Sequence, residues 1–192
     1  CKPKYLDTLK KAGVNWLGLG IENPDNENRR VIHKEGFKEV SVLEQISTIR
    51  EAGINVGGNY IFGLPFDDMR TMRNTLDFAL ENPTEMANFY CAMAYPGSPL
   101  YLQARSSGIE LPEKYAGYSQ HSYETLNLSN KNLTAAEILK FRDYAWQTYH
   151  SSDKYIALMK NKFGGKAFNE LQDTKKIKLK RRILEKQDAF VS

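Results

Sequence analysis

Apolar positions along this chain switch between helical and alternating periods several times, always in the same order. Tyr5, Leu6 and Leu9 stripe a helix over residues 5–12, which Gly13 stops. Residues 14–21 then alternate, with Leu17, Leu19 and Ile21 on one face and Trp16, Gly18 and Gly20 leading to Glu22 on the other. Asn23 to Phe37 is polar and turn-rich, with a helical turn expected over 26–33. Ser41-Val42-Leu43-Glu44 has the spacing of a capping box and opens a helix that Gly53 closes. A second strand is predicted over residues 54–62, a helix over 69–81 that stops before Pro83, and a third strand over 87–94. The phrase Leu9-Lys10-Lys11-Ala12-Gly13-Val14-Asn15 returns as Ile49-Arg50-Glu51-Ala52-Gly53-Ile54-Asn55. A repeat of about 40 residues fits one helix, one strand and two loops, and so predicts successive βα units of a parallel sheet or barrel. In such folds the C-terminal ends of the strands face the ligand. Attention therefore falls on Glu22, on Gly63-Leu64-Pro65 and on the end of the third strand.

The pattern weakens over residues 108–132, a long polar connection with Pro112, two glycines and three tyrosines. Thr134-Ala135-Ala136-Glu137 is a second capping box, flanked by Leu133 and Ile138 at staple positions, and helices are predicted from there, over 154–163 and over 167–186. The expected organisation is a βα region over 1–107, the connection over 108–132 and a helical extension over 133–192. With 192 residues and 41% hydrophobic content the chain can bury one sizeable core. No apolar run reaches membrane-spanning length, so a soluble protein in a reducing, cytoplasmic compartment is expected. The two cysteines, Cys1 and Cys91, and the three histidines, His33, His121 and His150, have no metal-ligand spacing. The net charge of +4 is concentrated in Lys175–Arg182, which reads as a solvated helix face because Ile177, Leu179, Ile183 and Leu184 interrupt it.

Three strand-to-loop junctions carry a resemblance. Gly20-Ile21-Glu22 with Lys34 further on, Asn59-Tyr60-Ile61-Phe62-Gly63-Leu64-Pro65, and Tyr95-Pro96-Gly97-Ser98-Pro99-Leu100-Tyr101 together resemble the second half of radical S-adenosylmethionine (radical SAM) enzymes. The likeness is to the group that commonly carries a cobalamin-binding domain ahead of the barrel. It implies an α/β fold, the C-terminal half of a (β/α)₆ partial TIM-type barrel with its parallel strands 4–6, followed by an all-helical extension. It also implies S-adenosylmethionine (SAM) and a [4Fe–4S] cluster as cofactors, with cobalamin in the intact parent. On that resemblance Glu22 meets the ribose or amino-acid portion of SAM and Lys34 is aimed at the methionine carboxylate. Asn59 meets the ribose hydroxyls, Gly63 admits the nucleoside to the backbone, and Ala94 ends the strand whose backbone meets adenine.

The departures are as informative. The family's Cys-x₃-Cys-x₂-Cys cluster loop is absent, and neither Cys1 nor Cys91 replaces it, so the cluster ligands are expected outside this chain. After Gly-x-Pro, the places of the family's glycine, acid and threonine hold Phe66, Asp67 and Asp68. The resemblance thus implies a C-terminal part of an enzyme whose cluster loop and first three βα units lie upstream, inactive by itself. Its expected partners are that missing N-terminal half, a small-molecule substrate and, through an open barrel edge, a second copy, with no membrane. Two other readings stay open on the residues alone. One is a non-catalytic βα interaction module; the other is an RNA-binding accessory domain using the basic run.

Overall fold

The computed structural model describes residues 2–23 and 42–188. The expected turn over 26–33, Lys34, His33, Cys1 and the Ser41 cap lie outside these residues. Helix α1 (Pro3–Lys11) leads into β1 (Trp16–Glu22), α2 (Val42–Glu51) into β2 (Asn55–Phe62), and α3 (Met69–Glu81) into β3 (Met86–Cys91). Then come α4 (Pro99–Ser106), a 3₁₀ turn (Tyr115–Tyr118), α5 (Ala135–Ser151), α6 (Asp153–Lys176) and α7 (Arg182–Asp188). The strands form one parallel sheet in the order β1-β2-β3. This is the α/β architecture expected from the repeat, followed by the expected helices.

The two copies of the repeated phrase make the same turn. Gly13 and Gly53 adopt φ of 90° and 72°, a left-handed conformation in which glycine carries no Cβ penalty. Val14 N–H then donates to Leu9 O at 3.0 Å, and Ile54 N–H to Ile49 O at 3.2 Å. Each helix is thereby stopped and its chain turned into a strand. The copies also touch: Asn55 N–H donates to Asn15 O at 2.9 Å, and Lys10 Nζ donates to Gly53 O at 2.8 Å.

One face of the sheet is a core. Val56, Tyr60, Phe62, Ala87, Phe89 and Cys91 are buried against Ile46 and Ile49 of α2, Met72, Leu76 and Ala79 of α3, and Ile138, Leu139, Phe141, Ala145 and Tyr149 of α5. Phe89 stacks on Phe62 at 5.7 Å between ring centroids and meets Tyr149 edge-on at 5.5 Å, a geometry in which aromatic pairs gain beyond their buried area. Helix α5 therefore shares the sheet's own core. Helix α6 crosses the N-terminal ends of the strands. There Phe163 stacks on Trp16 at 5.7 Å, and Lys162 Nζ bonds the buried Glu85 at 2.7 Å. Glu85 also accepts from Arg50 Nε and Val56 N–H, both at 2.9 Å, which ties four elements together below the sheet.

The outer edge of β3 is closed by side chains. Arg142 Nε donates to Phe89 O at 2.7 Å, and the Gln120 amide bonds both backbone groups of Cys91. Leu128 N–H donates to Ala92 O at 3.0 Å, extending the closure past the strand end. β3 itself stops at Cys91, short of the expected Ala94, after Ala92 N–H makes its bond to Phe62 O at 2.8 Å.

The tail corrects the sequence reading. Gly164, with φ of 77° and ψ of −178°, breaks α6, as the Gly164-Gly165 pair predicts. The helix expected over 167–186 does not run through, because Lys176 ends α6 and residues 177–181 are not helical. The basic run is accordingly not one solvated helix face: Arg181 is 2% exposed. Its guanidinium holds both oxygens of Asp143 and the carbonyls of Gln120 and Ser122. A long cation with a planar five-donor fork can be buried when it is satisfied in this way, and that interaction outweighs continued helix. Among the described residues no helix is long and apolar enough to cross a membrane.

Candidate functional site

The sheet's second face is open and small-residued. Parallel register sets Gly18 beside Gly57, Gly20 beside Asn59, and Asn59 beside Asn88. Trp16, Gly18 and Gly20 of β1 thus share a face with Gly57, Asn59 and Ile61 of β2 and with Met86, Asn88 and Tyr90 of β3. The opposite face carries the buried Val56, Tyr60, Phe62 and Phe89. Gly18 and Gly20, successive on this face of β1, leave backbone uncovered beside the two asparagine amides. Asn88 Nδ2 donates to Asn59 Oδ1 at 3.0 Å.

Glu22 ends β1 at an irregularity. Register shifts between Gly20 and Glu22, so that Glu22 pairs with Tyr60. Its φ of 62° makes it the one positive-φ non-glycine residue among those described. Such a conformation costs about 1–3 kcal/mol and persists only where the surroundings impose it, which is typical of ligand-facing positions. The half-buried carboxylate stands at the C-terminal end of the sheet, where β2 gives way to Gly63-Leu64-Pro65.

That second junction is built around Asp67. Asp67 is fully buried and accepts from Leu64 N–H at 2.9 Å, from the Thr71 hydroxyl at 2.8 Å and from Asn23 Nδ2 at 3.1 Å. Burial raises its carboxyl pKa above the ordinary value, against the pull of these bonds and of Gly63 N–H. The cap of α3 is Asp68, which accepts from Thr71 N–H at 2.8 Å. Asp67 instead clamps the loop from beneath and joins the end of β1 to the end of β2. Asn130 Nδ2 adds bonds to Leu64 O and Asp67 O at 2.9 and 3.0 Å, so the long connection also buttresses this loop.

The other expected residues lie along the same end of the sheet. Gly63 has φ of 79°, and a Cβ there would come within 2.8 Å of Ile138 Cγ2, so its missing side chain faces α5. Ala94, past the end of β3, is buried in a small cluster with Ala104 and Leu128 under α4. Lys34 lies outside the described residues. Asn88 and Asn23 are not among the site residues the sequence predicts, and Asp67 enters there only as a departure from the family pattern. The alternation that exposes Met86, Asn88 and Tyr90 would have found the first of them. A separate groove of about 610 Å³ between α5 and residues 174–179 is lined by none of the expected site residues.

The donor set suits a hydroxyl-bearing ligand better than a metal. Two amides, a carboxylate and exposed backbone can bind a nucleoside, and Gly18 leaves room against the sheet, with only Asn59 Nδ2 within 4 Å of where its Cβ would stand. An iron–sulfur cluster does not fit these residues. Among the described residues no three His, Cys, Asp or Glu gather as a metal site. Cys91 is buried under Gln120, and burial pushes its thiol up to about 12, far from the thiolate that ligation requires.

Residues 1–79 match the family described as the radical SAM superfamily. The chain is similar to the bacteriochlorophyllide d C-8(2)-methyltransferase of Chlorobaculum tepidum, 25% identical over 82% of this chain and 37% of that protein. It is also similar to the hopanoid C-2 methylase of Rhodopseudomonas palustris, 27% identical over 56% of this chain and 20% of that protein. Among solved structures, the radical SAM enzyme coproporphyrinogen III oxidase (HemN) of Escherichia coli aligns with 62% of this chain and 35% of its own, at 19% identity and a TM-score of 0.44. The chain thus spans well under half the length of these relatives.

Proposed function

We propose that the chain, whose residues 1–79 match the radical SAM superfamily, is a member of it and the SAM-binding half of an iron–sulfur enzyme that transfers a methyl group. The observation that carries this reading is the polar row Gly20–Asn59–Asn88 across three parallel strands, with Glu22 at its C-terminal end. Asn59 and Glu22 would hold the ribose and amino-acid portions of SAM, and Lys34 the methionine carboxylate. The backbone at Gly63 and Ala94 would approach the nucleoside. When bound, SAM supplies a carbon-centred radical at a reduced [4Fe–4S] cluster, or a methyl group through cobalamin. The residues of this chain orient it and keep its reacting end in register.

The cluster ligands belong to a segment outside this chain, together with strands that continue the sheet beyond β1. Closure of the β3 edge by Arg142, Gln120 and Leu128 supports growth of the sheet on the other side only, where Trp16 is 46% exposed. Residues 1–192 alone are inactive in this reading, and in isolation a second copy can occupy the β1 edge. Methyl transfer is favoured because two of the similar proteins are a methyltransferase and a methylase.

The test is reconstitution of the complete translation product of the reading frame with iron and sulfide, followed by SAM and a reductant. Formation of 5′-deoxyadenosine or S-adenosylhomocysteine is expected, reduced at least about tenfold at limiting SAM by Glu22→Ala or Asn59→Ala through lost hydrogen bonds. The same products from residues 1–192 alone, or undiminished turnover in both variants, would overturn the assignment.

A further inference from the structure

We propose that Asn88 is a positioning residue that fixes which end of the Asn59 amide the site presents, so that the ligand atom above it must be a hydrogen-bond acceptor. The inference rests on the functional reading above and deepens it. Asn59 and Asn88 face each other across β2 and β3 on the open side of the sheet. An asparagine side chain offers a carbonyl and an NH₂ group of nearly equal size, and rotation about its last torsion exchanges them. Here Asn88 Nδ2 donates to Asn59 Oδ1 at 3.0 Å, which commits the carbonyl of Asn59 to β3. Its NH₂ group is consequently turned toward β1, 3.5 Å from where a Cβ of residue 18 would stand. Glycine at that position leaves the group uncovered.

Among the described residues, nothing accepts from Asn59 Nδ2. The site therefore presents a donor, held by a neighbour whose own side chain need not touch the ligand. For SAM the matching atom is a ribose hydroxyl oxygen, which accepts from Asn59 and keeps its own proton to donate elsewhere. A ligand offering only an N–H at this point is rejected, because two donors would face each other out of bulk water.

A double-mutant cycle on the complete translation product tests this, with SAM binding read by isothermal titration and folding by thermal melting. Asn59→Ala should weaken SAM about tenfold, and Asn88→Ala, which frees the amide to rotate, about threefold. Asn88→Asp should cost at least as much as Asn59→Ala, because an acceptor-only neighbour draws the Asn59 NH₂ group to itself and turns its carbonyl to the ligand. Asn88→Ser, whose hydroxyl can still donate, should recover most of the loss seen with alanine. The Asn59→Ala/Asn88→Ala double variant should bind no more weakly than Asn59→Ala alone, since Asn88 acts through Asn59. Unchanged affinity in Asn59→Ala would overturn the functional reading itself. Loss in Asn59→Ala with wild-type affinity in Asn88→Ala and Asn88→Asp, or with losses that simply add in the double variant, would overturn the positioning role alone. Should Asn88→Asp fail to melt cooperatively, Asn88→Ala, Asn88→Ser and the double variant still decide.

Discussion

Gln120 completes the edge of the sheet by pairing with Cys91 as a strand would: its Nε2 donates to Cys91 O and its Oε1 accepts from Cys91 N–H, both at 3.0 Å. One side-chain amide satisfies both backbone groups of an edge residue, and Arg181 bonds the backbone carbonyl of the same glutamine at 3.0 Å. The connection between β3 and α5 is in this way a lock on β3. It leaves β1 as the side on which the sheet can grow.

Replacing Gln120 by leucine leaves two buried backbone groups without partners. A loss of about 1–3 kcal/mol for each group exposed to this fate is the scale expected. Urea unfolding should place the variant at least about 2 kcal/mol below wild type, and hydrogen exchange should accelerate at the Cys91 amide. Gln120→Glu should fall between them, because a carboxylate accepts from the N–H but cannot donate to the carbonyl.

Arg181 anchors the tail through four hydrogen bonds from a buried guanidinium. Truncating one partner of a buried pair costs about 3–5 kcal/mol. Asp143 keeps its contact with Arg142 and is 30% exposed, so Arg181→Met should sit at the lower end of that range. Arg181→Lys should not rescue it, since one ammonium cannot span the carboxylate and two carbonyls. Limited proteolysis should cut both variants within residues 177–185 faster than wild type.

Glu85 predicts the acid limb of stability. Burial alone would raise its carboxyl pKa, but Lys162, Val56 N–H and Arg50 outweigh that and hold it below the ordinary 4.5. A carboxyl depressed in the fold stabilises at pH above its unfolded value, and that contribution is lost as pH falls through the folded value. Glu85→Gln should cost about 1.5–3 kcal/mol near neutral pH. The gap to wild type should close as pH is lowered below about 4.5 in denaturant titrations. A gap independent of pH would contradict the role given to the charge.

Gly63→Ala meets two obstacles, a left-handed backbone and Ile138 within 2.8 Å of the new Cβ. Each is worth about 1–3 kcal/mol. Ile138→Val removes only Cδ1, at 2.9 Å, and keeps Cγ2 at 2.8 Å, so Gly63→Ala/Ile138→Val should recover only a small part of the loss in thermal melts. Full recovery would mean that the backbone conformation costs nothing.

Much of the fold is legible in the sequence because it is written in local periods. The repeated Ala-Gly phrase stops two helices with the same bonds, and the Thr134 capping box closes as its spacing requires, with Glu137 N–H bonded to the Thr134 hydroxyl at 3.2 Å. Helix α4 escapes because Ser98-Pro99 reads as a turn, although a serine N-cap followed by proline at N1 is also a helix start. Long-range pairing has no local signature at all. Gln120 lies 29 residues from Cys91, and Arg181 lies 38 from Asp143, so nothing in the neighbouring letters announces either partner. The same holds in the site. Glu22 follows from the strand end and Asn59 from the family resemblance, whereas nothing in the letters distinguishes Asp67 from Asp68 until packing buries one and leaves the other on the helix start.

The most direct measurement of the central claim is where SAM touches the protein. Photolabelling of the complete translation product with an azido-adenosyl SAM analogue, followed by peptide mapping, should place the label on residues 18–23, 59–66 or 92–95, and excess SAM should abolish it. Label confined to residues 133–188, or insensitive to SAM, would contradict the account.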